Sequence, residues 1–203
     1  MANRIFQFKI TMKEISPLIW RRILVQETYN YWDLHVAIQD AMGWLDYHLH
    51  VFRFRRKHSR RVTEIGIPTE DRFEGEPEVL AGWEIPVSKY FYDVGVTADY
   101  EYDFGDSWEH EVVLEGVLRR EAGQKYPACV AGARACPPED CGGISGYYEL
   151  LEVISNPSHE EYEETVTWLG KKYDPKAFDP ENVKFDNPKR RWNRAFSRGS
   201  QHK

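Results

Sequence analysis

Three short stretches of this 203-residue chain carry side chains able to do chemistry. Phe104-Gly105-Asp106-Ser107-Trp108-Glu109-His110 sets a serine beside two acids and a histidine, the residue types of an activated nucleophile and its base. Cys129, Cys136 and Cys141 lie in a loop dense in Pro and Gly, where thiolates converging with a histidine (His110, His48 or His50) would hold a zinc ion. His48 and His50 form an HxH pair, which a strand turns to one face and a metal can use.

Each stretch also has a plainer reading. Ala98 to Phe104 and Trp108 to Leu118 both alternate apolar and polar residues, so Gly105-Asp106-Ser107 between them reads as a hairpin turn, with Gly105 supplying the positive φ. A serine nucleophile of this type needs a strand-to-helix turn and an oxyanion hole, and an extended segment carries His110 about 10 Å away from Ser107. The turn is therefore the favoured reading. The cysteine spacings lack the two-residue knuckle of strong zinc motifs, so buried free thiols are favoured over zinc, with a Cys136–Cys141 disulfide on oxidation as a further option. In the HxH pair, one histidine ordering the loop while the other packs is favoured over a metal. Asp103, Asp106, Trp108, His110, His48 and His50 remain as the candidate ligand or binding site. Cys129, Cys136 and Cys141 remain as zinc candidates, and no catalytic residue is assigned.

The elements that must position these groups follow from periodicity. Ile5 to Ile15 alternates as a strand with Phe6, Phe8, Ile10 and Met12 on one face, and Ser16-Pro17 ends it. Ile19 to Val25 pairs back as a hairpin. Thr28 to Met42 changes to a helical period, with Asn30 as N-cap and Gly43 as the left-handed residue beyond its end. His50 to Arg56 alternates again, completing a β-β-α-β opening. Residues 57 to 95 form a long excursion in which Trp83 to Val87 is an edge strand. Gly146 to Ser155 is a helix with a Tyr147, Leu150, Leu151, Ile154 stripe, and His159 to Lys171 is a second, capped by Ser158. A short basic helix closes the chain, with Trp192 and Phe196 spaced to dock on the core. The fold class is α+β: a β-grasp-like mixed sheet in residues 1–180 with a helical C-terminal section, then a basic tail over 181–203.

Composition bounds the rest. No run approaches the roughly 18 apolar residues of a membrane span, the N-terminus lacks a signal-peptide core, and an odd cysteine count fits a reducing compartment, so the expected location is cytoplasmic, away from membranes. Net charge is −6, yet residues 53 to 61 hold six basic residues in nine, and residues 184 to 203 hold seven against one acidic. Arg53, Arg55, Arg56, Lys57, Arg60, Arg61, Arg190 and Arg191 are accordingly candidates for weak, non-specific nucleic-acid contact.

Several stretches together resemble a known family: Ser16-Pro17-Leu18-Ile19-Trp20-Arg21-Arg22, Leu34-His35, Ala41-Met42-Gly43-Trp44, His48-Leu49-His50-Val51-Phe52, Tyr102 to His110, and Ala135-Cys136-Pro137-Pro138-Glu139-Asp140-Cys141-Gly142-Gly143. In this order they resemble the plasmid pRiA4b ORF-three-like family, also labelled insertion-element passenger TnpR proteins. The resemblance implies a small bacterial or archaeal α+β domain without an established activity. A recombinase role would need a serine among phosphate-holding arginines, whereas Asp106 and Glu109 flank Ser107. The reading is a soluble, non-enzymatic binding or interaction module with an unknown protein or small-ligand partner. The alternatives are a nucleic-acid-associated accessory protein of mobile elements, or an enzyme with a site around Asp103, His110 and the cysteine loop.

Overall fold

The computed structural model describes residues 4–55, 61–69, 78–170 and 173–196. Strands β1 (Arg4–Met12) and β2 (Trp20–Gln26) form the antiparallel hairpin that the alternation predicts. Phe6, Phe8, Ile10 and Met12 on one side of β1 are buried, which is the physical content of the period-2 pattern. Helix α1 (Tyr31–Met42) starts at Asn30, whose side chain accepts from the Asp33 amide while the Asp33 carboxylate accepts from the Asn30 amide. Two otherwise orphaned amides are thus satisfied reciprocally. The helix stops at Gly43, where φ is 88°.

The chain continues through β3 (His50–Arg55), β4 (Val62–Gly66), β5 (Val79–Ala81), β6 (Thr97–Tyr102), β7 (Trp108–Arg119) and β8 (Ala128–Ala133). Helices α2 (Gly143–Ser155), α3 (Tyr162–Leu169) and α4 (Pro188–Phe196) follow. All eight strands join one sheet in the order β5-β4-β3-β6-β7-β1-β2-β8. The pairs are antiparallel except β4 with β5, which makes the sheet mixed. The chain leaves α1 for a strand separated from β1 by β6 and β7, so the β-β-α-β opening is completed by the later hairpin sliding between its halves.

Several expectations need correction. Trp83 to Val87 forms no strand: Pro86 makes a single bridge to Asn30, and Val87–Lys89 is a 3-10 turn, while the edge strand is β5. Pro86 has no N–H to give to a ladder. Helix α3 begins at Tyr162, three residues later than the His159 start read from the charge pattern. The Glu161 amide is held by His159 Nδ1 at 3.2 Å, and the segment before it turns. On α2 the buried stripe is Tyr147, Leu150 and Val153; Ile154 is only partly covered.

The core lies between α1 and the sheet and contains a polar network. His35 of α1 stacks on His50 of β3 with ring centroids 3.4 Å apart. His35 Nδ1 is 2.9 Å from the Tyr100 hydroxyl, which also accepts from Gln39 Nε2 at 3.0 Å. Arg21 of β2 is almost fully buried, yet its partners are neutral: the carbonyls of Ala41, Trp20 and Ala133, and Cys136 Sγ at 3.2 Å. Its guanidinium lies 3.7 Å from the centre of the Phe178 ring. Arg21 thereby ties β2, the end of α1, β8 and the cysteine loop together.

Helix α4 docks as its aromatic spacing predicts. Trp192 and Phe196 pack on Trp32 and Trp83, and Trp32 Nε1 donates to the Pro188 carbonyl at 3.0 Å. No helix among the described residues is long and apolar enough to cross a membrane.

Candidate functional site

Three loops meet at one end of the sheet, and each reaches its place by hydrogen bonds that its own sequence supplies. The first follows α1. Gly43 reverses the chain, and Asp46 takes a left-handed conformation (φ 63°) with its carboxylate 2.7 Å from His35 Nε2. The Tyr47 amide donates to the Tyr102 hydroxyl at 3.0 Å, which brings His48 to the surface beside β6.

The second loop is the β6–β7 turn. Asp103 is left-handed (φ 58°), its amide donates to Leu49 O at 3.0 Å, and its Oδ1 accepts from the amides of Gly105 and Asp106 at 3.0 and 3.3 Å. This is the Asx chemistry expected of a turn, shifted by two residues from the sequence reading. The positive φ falls on Asp103 and Ser107 (φ 54°), and Gly105 is not left-handed. Asp carries such a φ more easily than most residues because its short side chain bonds the local backbone.

The third loop runs from β8 to α2. Trp44 Nε1 donates to Pro137 O at 2.9 Å, and the Glu139 carboxylate accepts from the Leu45 amide at 2.6 Å and from the Tyr102 hydroxyl at 3.1 and 3.2 Å. Burial pushes the Glu139 carboxyl up, against the Leu45 amide, and burial also raises the Tyr102 hydroxyl. Asp140 is left-handed (φ 55°), and the Gly142 amide donates to Asp106 Oδ2 at 3.2 Å. At Gly143 a Cβ would stand 2.7 Å from Asp106 O, so the two loops touch where only glycine fits.

The outcome is a cluster of His48, Asp103 and Asp140. His48 Nε2 lies 2.9 Å from Asp140 Oδ1 and 3.5 Å from Asp103 Oδ2. The ligand atoms of the three residues all fall within 4.8 Å of one another. His48 is partly exposed, Asp103 is buried and Asp140 is exposed. Asp103 and Asp140 form no ion pair with Lys or Arg among the described residues; His48 is the partner of both. A cleft of about 450 Å³ lined by Gly105, Asp106, Ser107, Gly142 and Gly143 lies alongside. On the other flank Glu139 and Asp140 border a groove of about 1010 Å³ walled by Trp44, Leu45, Tyr173 and Phe178.

Of the sequence-derived site residues, His48, Asp103 and Asp106 meet here. His50, Trp108 and His110 do not: they are core side chains, 2%, 1% and 0% exposed. His110 Nδ1 faces Tyr100 O at 3.3 Å, and its other nitrogen and Trp108 Nε1 find no partner among the described residues. Burial pushes the His110 imidazole down to about 4, with nearby Lys13 adding to this and backbone groups of Tyr100 and Trp108 opposing it. Burial, and then His35 beside it, hold His50 well below the ordinary imidazole range. Ser107 Oγ donates to Glu101 at 3.1 Å, and His110 points into the core, so no nucleophile–base pair forms.

The three cysteines are free thiols that do not gather at one point. Among the described residues the three sulfurs do not form a ligand group. Cys136 Sγ is buried 3.1 Å from Met42 Sδ, Cys129 bonds the Ala131 carbonyl in β8, and Cys141 sits at the start of α2. Burial raises all three thiols, Cys136 to about 11 and Cys141 to about 12, so they rest as neutral thiols.

The nucleic-acid candidates among the described residues have partners within the fold. Arg53 bridges Glu64 and Glu101, Arg55 meets Asp99, Arg190 meets Asp186, and Arg191 is held by Asp40 with Asp46 and Asp186 close by. Arg61 also has partners in the fold. Arg56, Lys57 and Arg60 lie outside the described residues.

Asp140 and Glu139 are functional candidates that sequence reasoning passed over. They stand between two cysteines that drew the metal argument to themselves, and the only available signal was a pair of acids in a Pro- and Gly-rich loop.

Comparison with known proteins finds relatives of this chain. The uncharacterized protein y4hQ of Sinorhizobium fredii is 32% identical over 202 residues, covering 98% of this chain and 99% of that protein. The crystal structure of the protein of unknown function MM3350 from Methanosarcina mazei Go1 superposes with a TM-score of 0.80 at 42% identity, covering 91% of this chain and all of that one. A family model matches residues 4–182. That span takes in the sheet, all three loops of the cluster and the first three helices, and the chain belongs to the plasmid pRiA4b ORF-3-like protein family.

Proposed function

We propose that this protein is a binding module whose ligand is held where the three loops meet. The observation that carries this is the cross-bracing of loops 43–49, 103–107 and 137–143, which holds His48, Asp103 and Asp140 together although no Lys or Arg among the described residues compensates the two carboxylates. Structural carboxylates are normally neutralised by a Lys or Arg partner, as Asp40, Asp99 and Asp186 of this chain are. Asp103, with Oδ1 taken by two turn amides, and Asp140 face only His48 among the described residues. The adjoining groove combines apolar walls with a few convergent polar groups, the usual make-up of a small-ligand site.

Two other readings receive less support. Catalysis by Ser107 lacks the histidine base, since His110 points into the core, and phosphate contact by Arg53, Arg55, Arg190 and Arg191 would require breaking their ion pairs. The binding reading is tested by screening polar and cationic fragments and mapping hits by amide hydrogen exchange. Protection concentrated in residues 43–49, 103–107 and 137–145 is expected. Protection confined to α3, α4 or the edge strands β5 and β8 would refute it.

A further inference from the structure

We infer that His48, Asp103 and Asp140 form a binding site for one divalent transition-metal cation, with positions left open for an exogenous ligand. The inference rests on the binding reading above and names the chemistry of that site.

Geometry argues first. A cation about 2.0–2.1 Å from nitrogen and oxygen ligands spaces adjacent ligands roughly 3.0 Å apart in an octahedral shell and 3.4 Å in a tetrahedral one. His48 Nε2 is 2.9 Å from Asp140 Oδ1 and 3.5 Å from Asp103 Oδ2, spacings close to that range, and all three ligand atoms lie within 4.8 Å of one another.

Charge argues second. A single imidazole nitrogen faces two carboxylates, and it can give its one hydrogen properly to only one of them. Glu139 and Asp106 stand next to the cluster, so the local charge is negative by more than His48 offsets even when protonated. A dication removes that surplus.

Pre-organisation argues third. Asp103 is 6% exposed and spends Oδ1 on two turn amides, which fixes Oδ2 towards His48. An outer donor that orients a ligating carboxylate in this way is the second layer that metal sites require. The His48 ring is braced by Tyr102, 5.9 Å away at 70°.

The ligand set also indicates which cation. One imidazole with two carboxylates suits zinc, manganese, cobalt or ferrous iron better than magnesium or calcium, which prefer all-oxygen shells. Three protein ligands fall short of a closed structural zinc site, so coordination is completed from solvent or by the ligand in the neighbouring cleft.

The experiment uses the full chain, stripped with EDTA and titrated with Zn²⁺, Co²⁺, Mn²⁺, Mg²⁺ and Ca²⁺ by calorimetry, with Co²⁺ also followed by its visible absorption. One equivalent per chain is expected, with Zn²⁺ and Co²⁺ at least about tenfold tighter than Mg²⁺ or Ca²⁺. His48→Ala and Asp140→Asn, the latter keeping a residue that tolerates the left-handed backbone at position 140, should each weaken Co²⁺ by about 10–100-fold or more, since even second-layer losses reach that size. Glu109→Gln, beside the cleft but outside the cluster, should stay within about threefold of the parent. His48 and Asp140 reach the surface, so their variants should melt near the metal-free parent, which separates ligand loss from misfolding.

Absence of a saturable site in the parent overturns the inference. So does Co²⁺ affinity that survives both variants, or affinity that is lost instead in Cys129→Ser or Cys141→Ser. Fragment protection of the same loops in EDTA, from a parent that binds no cation, overturns the cation and leaves the binding reading standing. Cation binding at the cluster with fragments protecting only other surfaces does the reverse.

Discussion

His110 makes stability depend on pH in a way that can be calculated. Its imidazole is fully buried in β7 between Trp44 and Tyr100, and burial lowers it from 6.5 to about 4. In the unfolded chain His110 takes up a proton as the pH falls through about 6.5, whereas in the folded chain it resists until about 4. Between these values the unfolded state holds one more proton, so stability rises with pH across this window and is lost on acidification. A difference of about 2.5 units corresponds to about 3 kcal/mol over the whole window, of which about 2 kcal/mol is lost between pH 6.5 and pH 5. Urea unfolding followed by tryptophan fluorescence at pH 7, 6 and 5 measures it. His50, lowered by burial and by His35, adds a loss of the same sign, so the diagnostic is a comparison. His110→Asn keeps a donor for the Tyr100 carbonyl but has no titrating ring, and it should flatten the pH 7 to pH 5 drop by about 2 kcal/mol, whatever its constant cost. Parallel pH profiles for the two proteins would refute the reasoning.

Other perturbations test separate parts of the structure. At Ser107, where φ is 54°, Ser107→Val should cost about 1–2 kcal/mol in urea unfolding while Ser107→Gly costs little, and Ser107→Ala should leave any esterase signal unchanged. Cys136→Ser, placing a small hydroxyl against Met42 and Arg21, should destabilise by about 1–3 kcal/mol, and a stability equal to the parent's would contradict the packing role. Trp192→Ala removes the α4 anchor on Trp32 and Trp83 and should speed amide exchange in residues 188–196 by about tenfold or more, with β1 and β7 unchanged. Any DNA binding should disappear between low and physiological salt, because Arg53, Arg55, Arg190 and Arg191 are already paired; nanomolar binding at physiological salt would show that those pairs open.

Much of the fold is legible in the sequence because its physics is local. Asn30 and Gly43 cap α1 through bonds within a few residues, and the alternation of Phe6, Phe8, Ile10 and Met12 marks a buried face whatever it packs against. The same alternation groups Trp108 and His110 with Val112 and Leu114 on one face, but that this face is the core and not a site is decided by the packing of Trp44 and Tyr100 against it. Fold class and the β6–β7 hairpin follow from such signals, and short strands such as β4 and β5 do not, because only their partners make them strands. The cluster is of the second kind. His48, Asp103 and Asp140 lie on three loops far apart in the chain, and none has a sequence neighbour that predicts the others. They meet because Tyr102, Glu139 and Asp106 tie those loops together across the sheet edge. The fate of the basic residues is likewise tertiary: a run of arginines reads as a free positive surface until the strand pairing sets Glu64 and Glu101 beside Arg53, and the return of α4 brings Arg191 to Asp40. A charge can be counted from sequence, but whether it is available depends on what folding places within a few ångströms of it.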